Sequence, residues 1–397
     1  MDNFSLNGTA VPQVAGDATG SGGAGGSSEL PVRAVHRAAT ELRRGTPVLL
    51  MTSASSLVLL PAEVASARGL NEFTALAQGR RVLLLAPTRA AALLRRPIPT
   101  ARRADGAEPA AVALRLPNGL WNPPALQGLA DPTLPQAPPI DPDALVEVPS
   151  GASAALTLAK LARLLPAMIA APAVAGAAER LPRLGLLAVN AASVSSYPGE
   201  IATTLTRVAE ARVPLEDAPD SRIVAYRAAD AGLEHLAILV GDPEKRPAPL
   251  VRLHSECFTG DLLGSLRCDC GPQLRGAIRR MAEEGAGVLL YLAQEGRGIG
   301  LVNKLRAYAL QERGLDTLDA NRALGWGADE RDFLVAATML EDLGMRELRL
   351  LTNNPDKVAA LAACGLTVKR QSHFFAANGV NDGYLATKAR RFGHLLG

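Results

Sequence analysis

Cys257, Cys268 and Cys270 put three thiols within fourteen residues of a 397-residue chain that has four cysteines in all. The Cys-X-Cys unit holds two sulfurs close together, and a turn around Thr259 to Gly264 returns Cys257 to them. Three thiolates suit Zn²⁺, and a three-ligand set leaves the fourth tetrahedral position to water. Such a water becomes a nucleophile near neutral pH, so the open arrangement reads as catalytic. The spacing also admits a closed site with His254 as fourth ligand, or a few buried free thiols. Cys364, beside Gly365 in an Ala/Leu-rich stretch, reads as packing.

Three other segments suit anion chemistry. The turn Glu295-Gly296-Arg297-Gly298-Ile299-Gly300 lies between a strand-like and a helix-like run. Its glycines let backbone amides approach an anion, and Arg297 adds a bidentate donor. It lacks the dinucleotide fingerprint and the Lys-Ser/Thr of a P-loop, so taken alone it reads more readily as an ordinary turn. In Gly325 to Asp332, Asp329 and Arg331 stand two apart, a carboxylate beside a guanidinium that suits a base with an electrostatic partner. The alternative there is a solvated helix start capped by Asp332. Thr352-Asn353-Asn354-Pro355-Asp356-Lys357 reads as a phosphate loop or as a capped helix start. From Asp356 to Gly397, six basic residues face two acidic ones, which suits a polyphosphate or a solvated face.

Elements must position these groups. A chain of this length, 48% hydrophobic, predicts two or three domains with sizeable cores. A net charge of +3 argues against a nucleic-acid coat or a polybasic membrane anchor. No basic-then-apolar leader opens the chain. Ala152 to Ala178 is interrupted by Lys160, Arg163, Pro166 and Pro172, so it reads as a soluble helix and not a membrane span. The expected compartment is the cytoplasm. From Arg207 onward lie all four cysteines and four of five histidines, so the catalytic site is expected there.

Residues 1–30 read as a flexible Gly/Ser-rich tail. Val32 to Arg44, Pro61 to Ala77 and Thr88 to Leu94 read as helices. Pro47 to Met51, Leu57 to Leu60 and Arg81 to Ala86 read as strands. Residues 117–149, dense in proline, read as a loop or extended linker outside the core. Further on, 272–285 predicts a helix with Leu274, Ile278 and Met281 on one face. Gly287 to Leu292 and Leu348 to Thr352 predict strands. Leu301 to Gln311 predicts a helix, and Asn354 with Pro355 opens another that Gly365 ends. Strand, turn and helix units of this kind imply an α/β (α+β) fold.

Together the motifs resemble GTP cyclohydrolase II over about 190 residues from Arg207. The matching text is Arg252 to Asp261, Ser265 to Gly271, Gln294 to Leu301, Arg306 to Leu310, Asp329 to Asp332 and Leu351 to Pro355, with Tyr384 to Lys388 and Gly393 to Leu396 at the tail. The resemblance implies that GTP and three waters become a diaminopyrimidinone ribosyl phosphate, formate and pyrophosphate. It implies one Zn²⁺ per subunit on Cys257, Cys268 and Cys270, and Mg²⁺ with the GTP phosphates. It places GTP contacts at Arg252, Leu253, His254, Ser255, Glu256, Gln273, Glu295, Gly296, Arg297, Thr317, Thr352 and Lys357. It makes Asp329 the proton acceptor, Arg331 the nucleophile toward the α-phosphorus, and Tyr308 a neighbour of the zinc water. It also implies a homodimer that acts on GTP and not on nucleic acid or membrane. Ala293 departs from the family, which often has a basic residue just before Gln294.

Ala34 to Leu94 faintly resembles 3,4-dihydroxy-2-butanone 4-phosphate synthase. That enzyme's acidic Mg²⁺ loop is expected near Thr52 to Leu60, where this chain has no carboxylate. The division is therefore a tail at 1–30, a smaller, degenerate synthase-like domain at 31–206 and a cyclohydrolase domain at 207–397. The rivals are a GTP-binding regulator without turnover, a cyclohydrolase that stops at the formylated intermediate, and a bifunctional enzyme.

Overall fold

The computed structural model describes residues 26–98, 111–135, 140–229 and 232–373. The tail before Gly26 and the motifs at Tyr384 to Lys388 and Gly393 to Leu396 lie outside them. Residues 26–30 correct the expected tail, because helix α1 already runs from Gly26–Arg43. The buried face of Val32, Val35, Ala38, Ala39 and Leu42 anchors the helix.

The first half builds a mixed sheet from β1 (Val48–Met51), β2 (Ser56–Pro61), β3 (Val82–Leu85), β4 (Val112–Leu114), β5 (Leu145–Val146), β6 (Ala167–Pro172) and β7 (Leu187–Asn190). The order is β5-β4-β3-β6-β2-β1-β7, and only β1 and β7 pair in parallel. Its helices are α1, α2 (Ala67–Leu76), α3 (Pro87–Leu94), α4 (Pro123–Ala130), α5 (Ala152–Leu161), α6 (Ala177–Leu184) and α7 (Ala191–Thr203).

Three expectations change here. The helix expected from Pro61 starts only at Ala67, where Ser66 accepts the Gly69 amide. The proline-rich stretch is not a linker. Asn122 caps α4, and Pro123 and Pro124 occupy first-turn positions whose N–H would go unused anyway. Leu126 and Leu129 are then fully buried. Ala152 to Ala178 is not one helix either. It breaks after α5, and Pro166 leads into the central strand β6, whose residues from Ala167 to Ala171 are buried. Alanine packs as readily in a crowded strand as in a helix, so composition did not separate the two.

The second half builds β8 (Thr206–Arg212), β9 (Ser221–Arg227), β10 (Glu234–Gly241), β11 (Leu250–Ser255), β12 (Ala286–Leu292), β13 (Glu347–Leu351) and β14 (Thr367–Gln371), in the order β14-β13-β11-β12-β10-β9-β8. The four strands from β14 to β12 run parallel, and the rest are antiparallel. Around them lie α8 (Cys270–Glu283), α9 (Leu301–Glu312), α10 (Thr317–Ala323), α11 (Leu334–Asp342) and α12 (Pro355–Ala363). Buried parallel strands favour continuous apolar runs, which β12 supplies; β11 breaks its run with Arg252 and His254, both buried. Their carboxyl ends, with that of β13, release the loops at 256–269, 293–300 and 352–354. Ligands of open α/β sheets gather at such ends.

The two halves share one core. Ile299, Ala307, Leu310, Ala320, Leu324 and Trp326 are buried in the same apolar cluster as Leu93, Leu126, Leu129 and Leu165. Arg306 of α9 pairs with Glu63 at 2.8 Å and with Asp131 at 2.7 Å, all three poorly exposed. No helix among the described residues is long and apolar enough to cross a membrane.

Two buried histidines make this core acid-sensitive. Burial pushes His235 and His373 down from 6.5 to about 4. Between those values the unfolded chain holds the extra proton and the folded chain does not. Stability is therefore expected to fall as pH drops from about 6.5 toward 4, by roughly 3 kcal/mol for each histidine. Thermal unfolding followed against pH should show this slope, and His235→Asn should flatten part of it.

Candidate active site

The site begins where β11 ends. Arg252 and His254 are buried near the end of that strand, Ser255 and Glu256 are partly buried, and Cys257, just beyond, is buried again. A single π-helical turn, Phe258–Leu262, folds the chain back so that Cys268 and Cys270 meet Cys257. The three Sγ atoms all lie within 4.8 Å of one another, and Cys257 and Cys268 are 3.8 Å apart. Gly260 makes that approach possible: a Cβ there would lie 2.6 Å from the Cys268 sulfur and 3.0 Å from that of Cys257. Hydrogen bonds from Cys268 and Cys270, and then the charge of Lys304, hold the Cys257 thiol far below its usual range. The other two thiols, sharing that thiolate, are pushed up. A deprotonated sulfur beside two more, in a pocket shaped by glycine, fits a soft divalent metal.

His254 does not join the sulfurs, which removes the closed four-ligand alternative. Its Nε2 sits 3.0 Å from both carboxylate oxygens of Asp261. The same carboxylate accepts from the Cys257 amide at 3.0 Å and from the Tyr291 hydroxyl at 3.1 Å. Asp261 thus fixes both the cysteine loop and the histidine.

Glu295 staples the glycine turn. It accepts from the Phe258 amide at 2.7 Å, from its neighbour Gly296 at 2.9 Å and from Lys304 at 2.8 Å. Lys304 also donates to Cys257 Sγ and to Thr259 Oγ1, both at 3.0 Å. Burial opposes the lysine's charge, but Glu295 and the Cys257 sulfur outweigh it and raise its pKa. The turn is left-handed at both Gly296 and Arg297, and Arg297 takes that conformation without being glycine. One turn of α9 beyond Lys304, Tyr308 lies under both Arg267 (5.2 Å) and Lys304 (5.8 Å).

The three cysteines, His254, Glu295, Lys304 and Tyr308 line a cavity of about 720 Å³, together with Gln273, Thr317 and Arg331. Its size is that of a small-molecule site. Arg252, its pKa lowered by burial to about 10, donates to Leu351 O and to Gln273. Arg252 Nε and His254 Nδ1 are buried with no hydrogen-bond partner among the described residues. Burial first, and the Glu295 charge second, lift the Glu256 carboxyl above its ordinary range. Asp329 grips Arg331 through two side-chain hydrogen bonds, one of 2.8 Å from Nε. Burial raises the Asp329 pKa, but those bonds prevail and keep it lowered. Asp332, next along, accepts the Leu334 amide at 2.8 Å as the helix-start reading expected.

Asp329, Thr352 and Lys357 do not line the cavity. Thr352 accepts the Asn354 amide, and Lys357 is buried with its ammonium donating to Leu253 O at 2.9 Å. They hold the β13 and β11 ends together from behind. Asn354 caps α12 as predicted. Sequence reasoning missed Asp261 and Lys304. Lys304 had a readable signal, since it precedes Tyr308 by four residues on one helix face. Cys364 packs against the second-half core, as expected. At β1–β2 the turn is closed by the Thr52 hydroxyl, which donates to Ser55 O at 2.8 Å and accepts the Ser55 amide at 3.0 Å, and it carries no carboxylate. Beside Ala293, the guanidinium of Arg163 donates to its carbonyl at 3.1 Å.

Comparison with known proteins follows the same line. A family model described as GTP cyclohydrolase II matches residues 206–373. A protein named GTP cyclohydrolase-2 from Azospirillum brasilense is 50% identical over 378 residues, 93% of this chain and 95% of the relative. One of the same name from Enterobacter sp. (strain 638) is 52% identical over 193 residues, 48% of this chain and 98% of the relative. Among solved structures, a two-domain 3,4-dihydroxy-2-butanone 4-phosphate synthase from A. baumannii aligns with 86% of this chain and 99% of its own, at 19% identity and a TM-score of 0.32.

Proposed function

The chain belongs to the GTP cyclohydrolase II family, and from that membership we propose that it converts GTP to 2,5-diamino-6-(5-phosphoribosylamino)pyrimidin-4(3H)-one, formate and pyrophosphate, the first step of riboflavin synthesis. One observation carries this reading: the same cavity is lined by the three-thiol cluster and by Arg331, so ring chemistry and phosphate chemistry share one ligand. Catalysis belongs to 207–397 in this reading, and 31–206 is a domain without synthase turnover.

Held by Cys257, Cys268 and Cys270, Zn²⁺ would supply Lewis acidity and an activated water, while Mg²⁺ would arrive with the phosphates. The chain's own residues do the rest. Arg252 Nε and His254 Nδ1 offer unfilled hydrogen-bonding positions at the cavity's base. Glu256, lifted above the usual carboxylate range, is suited to hold and return a proton during ring opening. Tyr308, whose pKa burial raises, stays a neutral hydroxyl donor beside the cysteine loop.

Arg331 addresses the phosphates. A guanidinium keeps its proton in water, so attack on phosphorus requires a base in contact. Asp329 is that base, ionised and bonded to Arg331 through Nε and a terminal nitrogen. As the N–P bond forms at the α-phosphorus, the P–O bond to pyrophosphate breaks and the guanidinium proton passes to Asp329. Water later cleaves the N–P bond.

The reading includes a cytoplasmic homodimer acting on GTP, without nucleic acid or membrane. Exposed Leu262, Leu263 and Leu266 on the cysteine loop and Val302 and Leu305 on α9 support a partner surface. The test is to give the purified protein GTP, Zn²⁺ and Mg²⁺ and to quantify formate and pyrophosphate together. Equimolar release is expected. Pyrophosphate alone would mean an enzyme that stops at the formylated intermediate. Neither product, with GTP bound, would mean a regulator.

A further inference from the structure

The turn between α5 and β6 belongs to the first half of the chain, yet it reaches the site of the second. Arg163 sits there in the left-handed region, at φ 57°, which costs a residue with a side chain on the order of 1 kcal/mol or more. It stays there because it is held at several points. Its guanidinium donates to Ala293 O at 3.1 Å, one residue before Gln294 opens the glycine turn. Its own carbonyl accepts from Asn303 Nδ2 at 3.1 Å, and the same amide group donates to Ile299 O at 3.0 Å. Its aliphatic stem lies over Gly300, where a Cβ would meet Arg163 Cδ at 3.3 Å. Arg163 therefore touches the turn's entry, its exit and the start of α9, the helix that carries Lys304 and Tyr308. Its charge also acts on Glu256 and Glu295.

Three residues earlier, Lys160 makes a second reach. Its ammonium pairs with Glu330 at 2.5 Å and lies 5.6 Å from the Trp326 ring centre. Glu330 stands between Asp329 and Arg331. Its carboxylate also accepts the Gly327 amide at 2.6 Å, and its own amide donates to Arg297 O at 3.0 Å. That last bond ties the Asp329–Arg331 loop to the glycine turn. One turn of the first half thus pins both loops that the reaction uses.

We propose that Lys160 and Arg163 are positioning residues of the cyclohydrolase site, which makes the first half of the chain a working part of that site. The assignment rests on the reading that the cavity turns over GTP. Arg163 sets the glycine turn and Lys160 sets the Asp329–Arg331 loop, so the two act on different kinetic constants.

The test compares full-length wild type with Arg163→Ala, Arg163→Lys, Lys160→Met, Lys160→Arg and, as a control on an exposed face of the same half, Arg180→Ala. Arg163→Ala should raise KM for GTP about 10-fold, and Arg163→Lys should recover part of it. Lys160→Met should lower kcat about 10-fold at unchanged KM and metal content, and Lys160→Arg should restore it. Losses of this size follow from small displacements of reacting groups. Hydrogen exchange of 294–300 and 326–331 reads the brace without turnover and should rise in Arg163→Ala and Lys160→Met but not in Arg180→Ala. Wild type that releases no product sinks the functional reading, and exchange still decides the brace. Active wild type with both variants within twofold in KM and kcat overturns the positioning role, whatever exchange shows. If Arg163→Ala fails to fold, the Lys160 pair and the conservative Arg163→Lys carry the same decision.

Discussion

Cys268→Ser is expected to leave a folded protein that no longer retains zinc and turns over GTP more than about 100-fold more slowly. Disturbing only the outer partners of a metal's ligands typically costs 10- to 100-fold, and losing a ligand should cost more. The fold should survive because other groups hold the loop. Asp261 fixes the Cys257 amide, and Glu295 fixes that of Phe258. A serine hydroxyl also replaces the thiol with little change in volume, but it does not ionise near neutral pH and is a poor ligand for a soft ion. The checks are metal content by elemental analysis, thermal unfolding, and release of formate. A variant that keeps a full equivalent of zinc and turns over within tenfold of wild type would remove Cys268 from the ligand set.

The cysteines were legible because their chemistry is local: Cys268 follows Cys257 by only eleven positions, which closes one loop. The groups that support them were less so. Lys304 carried a helix-face signal through Tyr308, but nothing local showed its reach to Cys257 across 47 residues or that of Arg163 to Ala293 across 130. No pattern of spacing encodes a contact that only the packing of distant segments creates. In the second half β12, β13, α8, α9 and α12 were legible for a related reason, whereas β8 to β11, β14, α10 and α11 were not read. Parallel strands buried on both faces write themselves as apolar runs, and caps such as Asn354 with Pro355 mark helix starts.

Where the sequence misled, local preference was ambiguous. The prolines at 123 and 124 signal a break in most contexts, but after a capping asparagine they open α4. The alanines from 152 to 178 fit helix and strand alike, and the partners of β6 in the sheet decided between them. Thr352 to Lys357 read equally as a phosphate loop or a capped helix start, and in the fold the lysine donates to the Leu253 carbonyl of β11.

Arg331→Lys should lower pyrophosphate release by about 10³-fold, the scale seen when an arginine that stabilises phosphoryl transfer is lost. Lysine keeps the charge and loses the fork. In the native site, Nε and one terminal nitrogen bind the two oxygens of Asp329, which fixes the plane of the guanidinium. An ammonium cannot hold both oxygens in that plane and still face a ligand. The substitution therefore separates geometry from electrostatics. If Arg331 acted only as a positive charge, Arg331→Lys would retain most of the rate and Arg331→Ala would not. Asp329→Asn supplies the matching test, because it keeps the side chain's size but removes the carboxylate that accepts both guanidinium bonds and, in this reading, the proton. Its pyrophosphate release should fall by a similar factor, with zinc content unchanged, since neither residue touches the cysteines. Release measured under single-turnover conditions reads the step directly. An unchanged rate in Arg331→Lys would sink the nucleophile assignment and leave ring opening to the cysteine side of the cavity alone.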